Sequence, residues 1–318
     1  MFELVLGVIV IIVIFSLLKR RSRRVKLQNE PLPSYLGVQI AGGVAIVQQL
    51  ERTLSSSYVN QVRNRVEKEH RKINDYVFDW TFFELKRYFF MNSLLKSVPM
   101  FSARVDTIWH EMLMFTREYE TFSNNMYGEL LHHTPNIDSK PNPGERAFFD
   151  WMYLRLFKYN VNSKVIWGRF LQNPIKREIL DDFRELSEEK LLNKYFRKNE
   201  EWIEVKKNII RMMKDDISQA DSINRKGNPI ELPQGLTEAQ MYHSIIGVAV
   251  YLSIYESDHY NEQMSQLLPM EYYKTVQSGG GSSCYSYGCS SSSKHDSDGG
   301  GDSGGDSSCS SCGGGCSS

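Results

Sequence analysis

Residues Leu4 to Leu18 read LVLGVIVIIVIFSLL, fifteen positions that are apolar except for Ser16. A helix rises about 1.5 Å per residue, so this run just reaches across a hydrocarbon core once Phe2, the stem of Lys19 and local bilayer thinning contribute. It has no polar face, which argues against an amphipathic core helix. A cleaved signal peptide carries positive charge ahead of its apolar run and small residues behind it. Here Glu3 precedes the run and KRRSRR follows it. Residues 1–18 are therefore read as a single transmembrane helix. The basic juxtamembrane cluster of Lys19, Arg20, Arg21, Arg23, Arg24 and Lys26 then places the N-terminus outside and everything after residue 19 in the cytosol. The lipid bilayer is the first expected partner.

The remainder of the chain is mildly acidic, since the 38 basic and 38 acidic residues balance only when that cluster is counted. A body without a basic stripe lacks the footprint of a nucleic-acid binder, so no nucleic-acid partner is expected. With 318 residues, 41% hydrophobic and 24% charged, the chain is able to bury a substantial core. All five cysteines, Cys284, Cys289, Cys309, Cys312 and Cys316, fall near the C-terminus. The core is thus built without disulfides, as a reducing compartment permits.

Composition divides the chain further. Residues 19–33 join the basic cluster to a linker punctuated by Pro31 and Pro33. Residues 34–277 form the folded body, and residues 278–318 are a Gly/Ser/Cys-rich stretch that has too few aliphatic side chains for a core and reads as a disordered tail. The body is expected to be mainly α. Helical spacing covers Tyr58 to Lys72, and the ambiguous stretch from Gly37 to Leu50 is assigned to helix by its neighbours. Asp79 to Leu95 places Trp80, Phe83, Leu85, Phe89, Phe90 and Leu94 on one broad buried face. Asn142-Pro143-Gly144-Glu145 marks the start of a helix running to Tyr159. Ile175 to Ile217 reads as two or three surface helices. Thr237-Glu238-Ala239-Gln240 opens the last packed helix, through Tyr255. No sustained strand alternation and no fixed repeat are present.

The segment richest in chemistry is VDTIWHEMLMFTREYETFSNNMYGELLHHTP, Val105 to Pro135. On a helix beginning near Ser102, Asp106 and His110 lie one turn apart on a shared face beside Trp109. His132 and His133 follow Gly128. A carboxylate and imidazoles either converge on a divalent metal such as zinc or form a buried hydrogen-bond network that ties the helix to the next loop. Other histidines, His70, His243 and His259, stand isolated, and Asp258-His259 reads as an exposed helix face. No phosphate loop, H-E-x-x-H or G-x-S-x-G occurs.

At these residues the chain resembles the glycine-rich domain protein family of plants and bacteria, which carries V-D-x-x-W-H, then T-R-x-Y, then G-x-x-x-H-H-x-P. The likeness rests on Val105, Asp106, Trp109, His110, Thr116, Arg117, Tyr119, Gly128, His132, His133 and Pro135. The aromatic helix before it is expected to belong to the same module, so the likeness spans roughly 79–135. Plant members often carry a further histidine two positions after the W-H pair, where this chain has Met112. The resemblance brings no enzymatic activity with it. A metal site would rest on Asp106, His110 and one of His132 or His133, because a thioether is a poor ligand for zinc, calcium or magnesium.

The tail offers a second set of thiolates in Cys309-x-x-Cys312-x-x-x-Cys316, enough for zinc or copper(I) although the spacing is common in low-complexity sequence. Taken together, the sequence reads as a membrane-tethered helical interaction module without catalytic activity, engaging a protein partner. The alternative is a metal-dependent enzyme or metal-binding protein that uses the Asp/His cluster.

Overall fold

The computed structural model describes residues 27–134, 142–226, 238–267 and 290–292. The apolar run at 4–18, the capping residue Thr237 and all five cysteines lie outside them. Among the described residues no helix is long and apolar enough to cross a membrane. The body is mainly helical, as its apolar spacing and capping signals predict.

The first half is built around one central helix. Helices α1 (Gly43–Thr53), α2 (Ser56–Glu69) and α3 (Asp75–Leu94) follow a short 3-10 turn at Ser34–Gly37. Ser55 Oγ accepts the amide of Tyr58 at 3.2 Å and Asn74 Oδ1 that of Val77 at 3.0 Å. Short polar side chains thus fix where α2 and α3 begin. The Gly37 to Leu50 segment is only partly helix: Val38 bridges to Phe157 in extended backbone before α1 starts at Gly43.

Helix α3 is buried around nearly its whole circumference from Thr81 onward, not along one face as its spacing suggested. Neighbours surround it, with α1, α2, β1 (Ser97–Pro99), α4 (Ala103–Leu113) and α7 (Val161–Trp167) all packed against it. Its polar residues are therefore forced inside and must find partners there. Glu84 Oε1 accepts from Ser163 Oγ at 2.7 Å and from Arg87 at 3.3 Å. Glu84 Oε2 accepts from Tyr153 OH at 2.6 Å and Trp167 Nε1 at 2.7 Å. Arg87 also donates to the carbonyls of Leu36 at 2.8 Å and Lys158 at 3.2 Å. A Cβ on Gly37, which holds φ +62°, would stand 2.9 Å from Arg87 Nη2. Glycine is required there both for the turn and for the close approach of the guanidinium.

The chain continues through α5 (Thr116–Tyr127) and β2 (His132–Thr134) to α6 (Pro143–Leu156) and α7. Helix α6 opens where the sequence signals it: Asn142 Oδ1 accepts the Glu145 amide at 3.2 Å, with Pro143 in the first turn. It ends at Leu156 rather than Tyr159, because Phe157 turns extended to meet Val38. Inside α6, Asp150 accepts from Arg146 Nε and from the Leu171 amide, both at 2.7 Å. Complete burial pushes the Asp150 carboxyl up to about 6, against the opposing pull of Arg146 and that amide.

Three amphipathic helices, α8 (Arg177–Glu185), α9 (Glu188–Tyr195) and α10 (Ile203–Lys226), account for the charged stretch. Helix α10 is more than a surface helix, since Ile209, Ile210, Met213 and Ile217 are buried. It is tied to α6 through Asp216, which accepts from Trp151 Nε1 at 2.8 Å and Arg155 Nε at 2.9 Å. Helix α11 (Glu238–Tyr255) packs along α10. It is not the last packed helix. Helix α12 (Tyr260–Leu267) buries Tyr260 and Met264, and Tyr260 OH donates to the Leu171 carbonyl at 3.1 Å.

The strands are three residues each. β1 and β2 both pair antiparallel with β3 (Ser290–Ser292), which runs between them, so the order is β1-β3-β2. β3 falls within the segment read from composition as a tail.

Candidate metal centre

Ser102 begins the element that carries the site. Its Oγ caps α4 at the Val105 amide and donates to the Ile166 carbonyl at 2.8 Å, which fixes the position of the helix start. Helical geometry then separates two faces. Val105, Ile108, Trp109 and Met112 are buried, whereas Asp106 and His110, four residues apart, share the other edge, their side chains 16% and 52% exposed.

The third side chain comes from β2. Gly128 caps α5 with φ +74°, a left-handed conformation that reverses the chain at little cost only for glycine. Strand alternation does the rest. Leu131 is buried, His132 points to the opposite side, and the side chain of His133 is 5% exposed beneath β2. Two hydrogen bonds hold this register: Trp109 Nε1 donates to Tyr119 OH at 3.1 Å, and Tyr119 OH donates to the Leu131 carbonyl at 2.7 Å. Burial pushes the Tyr119 phenol up to about 12, with the bonds to Trp109 and Ser123 pulling the other way, so it stays a donor at neutral pH.

The result is a compact cluster. His133 Nε2 lies 3.0 Å from Asp106 Oδ1, and His110 Nδ1 lies 3.5 Å from Asp106 Oδ2. One ligand atom from each of Asp106, His110 and His133 lies within 4.8 Å of the other two. The His133 ring stands edge-on to Trp109 and to His110, each at 4.3 Å between centroids. Donors about 2.0–2.2 Å from one tetrahedral ion stand roughly 3.3–3.6 Å apart, and the 4.8 Å that spans the three ligand atoms would have to contract by about 1 Å to reach that spacing. His110 Nδ1 also approaches the Asp106 carbonyl at 2.9 Å. An ion at that nitrogen would replace this hydrogen bond, at a cost of about 1 kcal/mol.

Of the two histidines that could complete a site with Asp106 and His110, the structure brings His133 into the group and leaves His132 out of it. The other motif residues build the frame: Val105, Trp109 and Tyr119 are buried and Gly128 makes the turn, while Thr116 opens α5 and Arg117 is exposed on it. Pro135 and the thiolate set Cys309, Cys312 and Cys316 lie outside the described residues.

Sequence reading missed one partnership. His70, isolated in the sequence, sets Nε2 2.9 Å from Glu111 Oε1, and Arg65 pairs with the other carboxylate oxygen. Glu111 directly follows His110 but is turned about 100° away on the helix and is engaged by α2. It is therefore not positioned as a base for the cluster. Only the three-dimensional meeting of α2 and α4 makes this visible. Asp258 and His259 sit on a 3-10 turn, with His259 exposed as expected.

Residues 48–149 match a protein family described as UCP032817-like. The matched span runs from α1 into α6 and includes Asp106, His110 and His133 together with Glu84 and Arg87. No curated protein and no solved structure matches the chain.

Proposed function

We propose that this protein is a metal-binding helical module tethered to a membrane, with zinc as the preferred ion at Asp106, His110 and His133. The observation that carries the reading is the convergence of one carboxylate and two imidazoles within 4.8 Å. This donor set suits zinc. Three protein ligands leave a fourth tetrahedral position, and the 52% exposure of His110 leaves that side open to solvent. A water bound there would acquire nucleophilic character near neutral pH. The buried Trp109 supplies a rigid wall against which His133 is held.

The tether is proposed from the sequence: the apolar run at Leu4 to Leu18 and the basic residues that follow it place the module at the cytosolic surface of a bilayer. Elemental analysis of the full chain, purified from membranes in detergent and dialysed against trace zinc, tests the metal. About one equivalent is expected, dropping to background in Asp106→Asn and His133→Ala. Equal zinc content in the parent and both variants would refute the site.

A further inference from the structure

β1 and β2 form the two walls of a slot one strand wide. Each pairs with β3 and, among the described residues, not with the other. Both walls are pinned from the core by a buried tyrosine. Tyr88 OH donates to the Val98 carbonyl at 2.7 Å on one side, and Tyr119 OH donates to the Leu131 carbonyl at 2.7 Å on the other. Trp109 lies between these anchors, 5.3 Å from the Tyr88 ring and hydrogen-bonded to Tyr119. Sheet neighbours stand about 4.8 Å apart, so two walls with one strand between them lie about 10 Å apart, too far to pair directly. Their inward backbone groups need a third strand or water.

The occupant is the chain's own C-terminal segment. Ser290 is in register with Pro99 and Thr134, Ser291 with Val98 and His133, and Ser292 with Ser97 and His132. The run Ser290 to Ser293 offers four small residues in succession, and attachment to the same chain gives it a high effective concentration at the slot. β2, which delivers His133 to Asp106, is paired with this strand along its length.

We infer that residues 290–292 act as an intramolecular strap: by adding the central strand between residues 97–99 and 132–134, they clamp His133 in position beside Asp106 and His110. The strap itself is a backbone interaction and is independent of any ion. Only its consequence, slower release of bound metal, rests on the proposed zinc site. When the strap opens, β2 loses its ladder and is held only by the Tyr119 bond to Leu131 and the packing of His133 on Trp109, so metal exchanges faster. The same release would free the slot for another extended segment.

Amide hydrogen exchange on the metal-free full chain, held in chelator, tests the strap directly. A Ser290→Pro/Ser291→Pro double variant removes donors from the central strand, and Ser286→Pro serves as a control outside it. The expected result is at least tenfold faster exchange of the amides of Ser97, Val98 and residues 132–134 in the double variant, with the control unchanged and α3 as protected as before. Equal exchange in all three proteins overturns the strap, as does equal acceleration by the control. Zinc release to a chelator is then expected about tenfold faster in the double variant. If zinc fails to bind any of the proteins, the metal reading falls while the metal-free exchange still decides the strap.

Discussion

Two polar clusters in this domain, one on α3 and one on α4 and β2, behave differently. Glu84 and Arg87 are both fully buried, with side chains 0% exposed, and both Glu84 oxygens are engaged by hydroxyl, indole or guanidinium donors. Asp106, His110 and His133 are graded from buried to half-exposed, and their contacts are few. The first cluster has opposite charges and matched hydrogen bonds, so it is closed and staples α3 to α6 and α7. The second gathers groups that all have lone pairs to offer and leaves one edge open. Buried polar residues thus serve as structure where donors and acceptors balance, and the open cluster is where the proposed metal would sit.

Breaking the closed cluster should have the largest effect. Arg87→Met strands the Glu84 carboxylate in the core, and unfolding by urea should show a loss of about 3–5 kcal/mol. A loss below about 1 kcal/mol would mean the pair does not act as a staple. Zinc content of the folded fraction should stay unchanged.

A second closed pair, Arg146 and Asp150, adds a pH signature. Because burial raises the folded Asp150 to about 6, the folded state holds a proton that the unfolded chain has already released above its ordinary value of 3.8. Stability from this group is therefore fully present below pH 4 and is lost as pH rises toward 6. The slope is at most about 1.4 kcal/mol per pH unit, nearly 3 kcal/mol across the window. Comparing unfolding of the parent and Asp150→Asn at several pH values should show that gradient in the parent alone. Parallel curves would disprove it.

At the open cluster the effect should move from stability to affinity. Asp106→Asn is expected to weaken zinc binding by about a hundredfold or more while changing the stability of the metal-free protein by only about 1 kcal/mol. A large stability loss without an affinity change would assign the cluster to the closed class. Tyr119→Phe removes the hydroxyl that positions the Leu131 carbonyl, and titration should show roughly tenfold weaker zinc binding, within the range expected for outer-shell partners. The smallest effect belongs to His132→Ala. With its side chain turned away from the cluster, zinc affinity should stay within about twofold, and a larger drop would place His132 among the ligands.

Much of the fold was legible because its signals are local. Asn142-Pro143 and Ser102 announced helix starts, and the one-turn spacing of Asp106 and His110 put both on one face. Elsewhere local reading failed for definite reasons. Tyr159 was included in α6 because nothing local stops the helix, whereas Phe157 leaves it to pair with Val38. Helix α3 was assigned one buried face because a hydrophobic stripe cannot reveal that Glu84 and Arg87 neutralise each other inside. Helix α12 was missed because its two buried residues, Tyr260 and Met264, make too short a pattern.

The choice between His132 and His133 shows the limit most clearly. By itself the sequence determined that the chain is mainly helical, that Asp106 and His110 are neighbours, and that two histidines follow a reversing glycine. Composition and periodicity suffice for that, because helix geometry fixes what lies one turn away. Which imidazole joins the cluster was decided by tertiary structure, through the Trp109–Tyr119–Leu131 hydrogen bonds that set the register of β2. A strand shifted by one residue presents the opposite side chain, and that register is set by contacts between residues distant in sequence.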